Sequence, residues 1–279
     1  MRIISLGLGV QSTALYYMSS MGQLPRADYA IFVDPGKEKK ATYVYLAFLM
    51  EWQKANDGIP IIVVRKKNLY LDLLSQMNSR GKRFGSIPAY IKNPDGSTGM
   101  LRRQCTYEYK IHQVDRYIRE ELYGLMPRKR MIETEIWKGI SLDEIERLSL
   151  STEVWKKQAY PFCQYITDKA GASKIDWGIK MTRNDIISWF IKMDLPIPPK
   201  SSCVFCPFMS EKAWKDMKDN DPEDWAAAVL VDYAIRDSRN KGVLQPMYLH
   251  QSCIPLDQVV FPENLPDLWH GECSGECHT

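Results

Sequence analysis

Residues 5–15 read SLGLGVQSTAL, and no other stretch constrains the fold as much. They follow a short apolar run, Arg2 to Leu6. From Ser12 they enter a helical pattern with Ala14, Leu15, Met18 and Met21 on one face and Gly22 as its stop. A glycine-rich turn between a buried strand and a helix suits an anion. The glycines let the backbone approach closely, and the N–H groups and dipole of the following helix point at the same spot. The stretch nearly spells the dinucleotide fingerprint G-x-G-x-x-G, but Ser12 stands where the third glycine belongs, and no Lys-Ser or Lys-Thr follows as in a Walker loop. Ser12 and Thr13 supply hydroxyl donors instead. Asp34 ends the second strand near where a ribose-binding acid would lie, so a dinucleotide redox site stays open as the weakest phosphate reading.

The rest of the chain keeps the alternation. YAIFVDPG (29–36) reads as a second apolar strand, and Thr42 to Asn56 as a helix with Val44, Leu46, Phe48, Leu49 and Trp52 for packing. IPIIVV (59–64) reads as a third strand and 69–79 as a helix. Strands alternating with helices predict βαβ units around a parallel sheet, an α/β fold. Residues 80–104 carry turn signals and basic residues and read as one long loop, a length that is often functional. Thr106 to Leu122 reads as a helix, 132–140 as a fourth strand, SLDEIERL (141–148) as a short helix, YPFCQYIT (160–167) as one extended segment and Thr182 to Met193 as a helix. A Pro- and Cys-rich connector (195–208) follows, then a helix from Glu223 to about Arg239 and an irregular tail from 250. No flexible linker stands out. The division expected is 1–175 for a nucleotide-binding domain and 176–279 for a mostly helical, Cys-containing part.

Composition narrows the class. The chain has 279 residues, 45% hydrophobic and 25% charged, which argues against long disorder. Its net charge of +3 neither demands nor excludes nucleic acid. No secretory pattern is visible and no apolar run approaches the ~20 residues that span a bilayer, so a cytoplasmic protein without a membrane partner is expected. Seven cysteines are many for a reducing compartment, which points to metal or catalytic sulfur.

Cys203 and Cys206 have the C-x-x-C spacing that aims two thiolates at one metal or cluster; a redox dithiol or two small buried side chains are the alternatives. Cys105, Cys273 and Cys277 are further candidates, with Cys163 and Cys253 behind them. Four thiolates suit zinc or a 4Fe-4S cluster, and spacing alone does not separate them. Arg102, Arg103 and Lys110 flank Cys105. They read either as solvated surface or as phosphate contacts, since bidentate arginine suits phosphate or sulfate. Ser141-x-x-Glu144 reads as a capping box and Asp143 as a first-turn acid; alternatively Asp143, Glu144 and Arg147 line a nucleotide site or hold magnesium. Thr182-x-x-Asp185 reads as a cap from which Arg183 reaches a phosphate. His112 and His250 lack partners at ligand spacing and read as structural or surface residues.

Five segments in order carry a family resemblance. SLGLGVQSTAL resembles the S-G-G-x-D-S-T/S loop of the N-type ATP pyrophosphatases and the phosphoadenosine phosphosulfate (PAPS) reductases, with Gln11 in place of the aspartate and Gly7 in place of a serine. FVDPGKEKKATYVYL (32–46) resembles the second-strand segment, LRRQCTYEYKI (101–111) the Arg/Cys/Lys segment, WKGISLDEIERL (137–148) the Gly-Ile-x-x-Asp-Glu-x-x-Arg segment, and KSSCVFCPF (200–208) the Cys-x-x-Cys of the iron–sulfur members. The matches span residues 1 to about 210.

The resemblance implies a five-stranded parallel sheet of order 3-2-1-4-5, helices on both faces, and a C-terminal part packed over the nucleotide site. It implies adenine-nucleotide binding by Ser5, Gly7, Gly9, Gln11, Ser12, Thr13, Asp34, Arg102, Arg103, Lys110 and Arg183. Asp143 and Arg147 would take part in catalysis, with magnesium. A 4Fe-4S cluster, or zinc, would be held by Cys105, Cys203, Cys206 and Cys273. The use favoured is activation of a substrate by ATP with pyrophosphate release, leading to sulfur insertion into a nucleic acid and drawing on a sulfur donor. The alternative is reduction of PAPS or adenylylsulfate with Cys277 as nucleophile and a thioredoxin-like reductant as partner. A third reading is a non-catalytic nucleotide- or nucleic-acid-binding protein with a structural metal, to which Gln11 in place of aspartate lends some support.

Overall fold

The structure, a computed structural model, describes residues 1–78, 87–237 and 244–263. In chain order it runs β1 (Arg2–Ser5), α1 (Val10–Ser20), β2 (Tyr29–Val33), α2 (Lys40–Ala55), β3 (Ile61–Val64), α3 (Leu69–Leu74), β4 (Tyr90–Lys92) and β5 (Thr98–Met100). Helix α4 covers 105–122; its middle, His112–Tyr117, is α-helical, and the flanking Tyr107–Ile111 and Ile118–Leu122 wind as π-helix. Then come β6 (Thr134–Trp137), a 3-10 turn (Leu142–Arg147), β7 (Lys156–Tyr160), β8 (Tyr165–Thr167), β9 (Ala172–Lys174), α5 (Arg183–Lys192), α6 (Glu211–Asn220), α7 (Pro222–Ile235) and β10 (Met247–Tyr248).

The central sheet has the order β3-β2-β1-β6-β7-β8-β9. Its first five strands are parallel and follow the expected order; Ile4 lies opposite both Ala30 and Trp137. The sheet is larger than the five strands expected, because β8 and β9 extend it antiparallel. The stretch 160–167 is therefore not one extended segment. A turn after Tyr160 folds the chain back, with Gln164 taking a left-handed φ of 57° that more often falls to glycine or asparagine.

Residues 80–104 do not form one loop either. Residues 79–86 lie outside the described part, but β4 and β5 make a hairpin that β10 joins as a third strand. Gly96 has φ +85° in its turn, and Asp95 Oδ1 accepts the Ser97 N–H at 2.9 Å.

Period-two alternation in the central strands sends neighbours to opposite faces. Ile4, Ala30, Phe32 and Trp137 pack under α1, α2 and α5, while Ile3, Ile31, Val33 and Ile136 pack under α4. Helix α1 is buried nearly all round rather than along one face, and its Met21 is exposed. Helix α2 buries Thr42, Tyr45, Leu46 and Leu49, an i, i+3, i+4, i+7 stripe. Val44 and Phe48, expected to pack, lie off that stripe and are exposed. Helix α5 belongs to this first core through Ile186 and Phe190. A second core gathers Leu69 and Leu73 of α3 with Val204, Phe205, Trp214, Val231 and Ile235. No helix among the described residues is long and apolar enough to cross a membrane.

Phe190 is fully buried and meets Tyr17 of α1 edge-on, with ring centroids 6.0 Å apart. Phe190→Ala is expected to cost about 3–5 kcal/mol in urea unfolding, whereas Ile191→Ala, at a residue 68% exposed, should stay within about 0.5 kcal/mol. Thr182 and Asp185 form the expected reciprocal cap of α5, and the Thr182 hydroxyl and N–H hold Asp185 below the usual carboxylate range. A depressed folded value stabilises above the unfolded value of about 4 and is lost as pH falls through the folded one. Denaturant titrations from pH 6 to 3 should show a fall in stability that is shallower in Asp185→Asn.

Candidate functional site

The loop between β1 and α1 is held by its own backbone and one hydroxyl. Leu8 has a left-handed φ of 59°, and Gly9 is the extended residue before the helix. Ser12 Oγ accepts the Gly7 N–H at 3.1 Å and donates to the Gly9 carbonyl at 3.4 Å. The hydroxyl thus closes the loop on itself instead of standing as an open donor. Thr13 is fully buried, and its Oγ1 has no hydrogen-bond partner among the described residues. No side chain caps α1 and none of its own first-turn residues is acidic, so its leading N–H groups are left without a side-chain cap. Gly139, just after β6, presses on this loop: a Cβ there would lie 2.5 Å from the Ser12 nitrogen. A side chain at 139 would displace the loop backbone.

Gln11 turns into a buried network rather than outward. Its Nε2 donates to Ser141 Oγ at 3.1 Å and to Glu144 Oε2 at 2.6 Å, and its Oε1 accepts from Arg183 at 3.4 Å. Arg147 donates to the other oxygen of Glu144 at 2.6 Å. The capping-box reading of Ser141 and Glu144 does not hold, because no side chain caps the 142–147 turn and both side chains are engaged by Gln11. Asp143 Oδ1 accepts the backbone N–H of Arg183 at 2.9 Å, tying that turn to the start of α5. Gln11, Glu144, Arg147 and Arg183 therefore meet at the carboxyl end of the sheet.

A cleft opens beside the loop. Ser5 and Gly7 form its rim, Ile31, Val33 and Ile136 its apolar wall, and Lys110 of α4 its basic edge. Asp115 and Lys156 line it as an ion pair at 2.6 Å. Asp34 is occupied elsewhere: its oxygens accept from Gly36 N–H at 2.9 Å, Tyr43 at 2.8 Å and Arg65 at 3.0 Å, which braces the β2–α2 connection. Arg102 is exposed and lines neither cleft nor pocket.

Cys105, Cys203 and Cys206 line one neighbouring pocket, together with Arg103 and Lys110. Sequence brought them there by backbone pairing. Residues 37–39 run antiparallel to 202–204, with Lys39 N–H donating to the Ser202 carbonyl at 3.1 Å and Val204 N–H to the Lys37 carbonyl at 3.2 Å. Glu38, fully buried in this pairing, accepts from Lys110 Nζ at 3.0 Å and from Cys203 Sγ at 3.8 Å. Its second oxygen has no hydrogen-bond partner among the described residues. Burial, and then the nearby Lys200, lower the pKa of Lys39, while Cys206 acts in the opposite sense. Arg103 lies over the Phe208 ring at 5.2 Å.

The donor set fits a thiolate-bound centre in kind: soft sulfur ligands that suit iron or zinc, with cations beside them to offset thiolate charge. Among the described residues, however, no three His, Cys, Asp or Glu side chains are gathered in a metal-holding group. Cys273 and Cys277 lie outside the described residues. His250 is a buried structural residue, 3.0 Å from Glu211 Oε1.

Sequence reasoning missed Glu38, Gly139 and the Asp115–Lys156 pair as site residues. Glu38 and Gly139 did sit inside segments already singled out, FVDPGKEKKATYVYL and WKGISLDEIERL. Asp115 and Lys156 carry no local signal, since they come from separate elements. No protein-family model matches the chain, and no curated protein matches it.

Cys163 is buried, and burial pushes its thiol up to about 12. In protein freed of metal by chelator and reductant, alkylation at pH 8 followed by peptide mass mapping should leave Cys163 unmodified. Cys105, Cys203 and Cys206, all partly exposed, should be labelled.

Proposed function

We propose that the chain is an adenine-nucleotide-dependent enzyme that activates a substrate with ATP and handles sulfur, a nucleic acid being the favoured acceptor. The observation that carries this reading is the placement of Lys110. It lines both the cleft at the glycine loop and the pocket that holds three cysteines. A nucleotide bound at the loop and a sulfur or metal centre at the cysteines would share one cation as a common wall.

The loop backbone and the α1 N-terminus bind the β- and γ-phosphates, and the Ser12 hydroxyl keeps the loop closed around them. A substrate nucleophile then attacks the α-phosphorus. The bond from that phosphorus to the bridging oxygen breaks, and its electron pair leaves with pyrophosphate. Lys110, with Arg147 and Arg183 at the opposite side of the loop, offsets the charge that develops on the phosphoryl oxygens. Cys105, Cys203 and Cys206, with Cys273 from the tail, would hold a 4Fe-4S cluster or zinc, which when bound supplies sulfur and redox chemistry or a structural anchor respectively.

Calorimetric titration with MgATP tests the site. Ser12→Ala should weaken binding about tenfold, since the loop loses its closing hydrogen bonds; unchanged affinity contradicts the reading. Pyrophosphate release from ATP that depends on a nucleic-acid acceptor supports activation. Loss of turnover in Cys277→Ser with metal content retained supports the reductase reading instead.

A further inference from the structure

The position where the resembled loop carries an aspartate holds Gln11, a residue only 2% exposed. We propose that Gln11 is a positioning residue, not a nucleotide contact. It locks the phosphate loop onto the 142–147 turn by an amide–carboxylate bond to Glu144, and so sets the loop against Arg147 and Arg183. The inference rests on the nucleotide reading of the loop and assigns how that site is shaped.

The Gln11 amide nitrogen donates to Ser141 and to Glu144 on the turn, and its oxygen accepts from Arg183 at the start of α5. Glu144 is itself buried and shared with Arg147. A carboxylate at position 11 would face Glu144 at the 2.6 Å now spanned by the hydrogen bond, two like charges with little solvent between them. In this chain the network holds one carboxylate, Glu144, and it stands on the turn rather than in the loop. The close approach of Gly139 to the Gln11–Ser12 backbone seats the loop against the same chain segment that carries Ser141 and Glu144.

A charge-exchange cycle tests this. Gln11→Glu, Glu144→Gln and the double variant are titrated at pH 8 with MgATP and separately with AMP, which lacks the β- and γ-phosphates. Hydrogen exchange of residues 7–13 is followed without nucleotide. Gln11→Glu should weaken MgATP binding about tenfold, change AMP binding less than about twofold, and speed exchange of the loop. The double variant restores an amide–carboxylate pair in reverse and should return MgATP affinity to within about threefold of the original, with slow exchange regained.

If the Gln11→Glu loss is equally large in the Glu144→Gln background, the inference is overturned, because Gln11 then acts on the nucleotide directly. Equal losses for MgATP and AMP overturn it as well, since they report general damage. Should the unaltered protein bind neither nucleotide, the nucleotide reading fails while the lock is decided separately: exchange rescued in the double variant upholds it, and exchange not rescued refutes it.

Discussion

The contact between Gly139 and the backbone of Gln11 and Ser12 is the constraint on which the carboxyl edge of the sheet depends. A loop made of glycines and a serine has little side-chain mass to define it, and its own hydrogen bonds, Ser12 to Gly7 and Gly9, fix only its curvature. Its seat comes from outside. The chain leaving β6 passes so close that only hydrogen fits at position 139, and the next residues deliver Ser141 and Glu144 to Gln11. Backbone contact and buried amide together hold the uncapped end of α1 at one place on the sheet. The Asp143 carboxylate brings the start of α5, and with it Arg183, to the same point.

A second, shorter pairing does equivalent work for the cysteines. Segment 202–204 is not a sheet strand; it is held by its antiparallel bonds to 37–39. This places the C-x-x-C turn against α4 and buries Glu38 next to Lys110. Burying a carboxylate is costly unless a cation meets it, so Lys110 is drawn inward. There it borders both the cleft and the cysteine pocket. The π-helical winding of Tyr107–Ile111 at that end of α4 fits the pattern that such turns gather at functional sites.

Much of this was legible in the sequence where it depended on local pattern. The alternation of apolar runs and helical stripes marked four of the five parallel strands; β7 (Lys156–Tyr160) was not read from it, and the strand order came from the family resemblance. The glycine-rich turn after β1 and the Thr182–Asp185 cap follow from residues within a few positions of each other. What was not legible depends on distant partners or on unsignalled turns. Strands β8 and β9 are three residues each, and β8 leaves β7 through a turn whose left-handed residue is Gln164, so neither periodicity nor that turn announced them. The β4–β5 hairpin was hidden because its turn signals read equally well as an unstructured loop. At the site, Glu144 carried a capping signature that the fold does not use, since a glutamine more than 130 residues away takes both members of the motif. Asp34 looked like a ligand-binding acid at the end of a strand, but its oxygens are spent bracing the next connection.

Lys110 lines both the cleft at the glycine loop and the cysteine pocket, and the proposed function rests on that placement. A structure determined from crystals grown without oxygen in the presence of MgATP tests it most directly. The account predicts triphosphate oxygens against the N–H groups that open α1, Lys110 between the phosphates and the pocket of Cys105, Cys203 and Cys206, and metal or sulfur density in that pocket. Nucleotide bound away from the glycine loop, or Lys110 remote from both ligands, would contradict it.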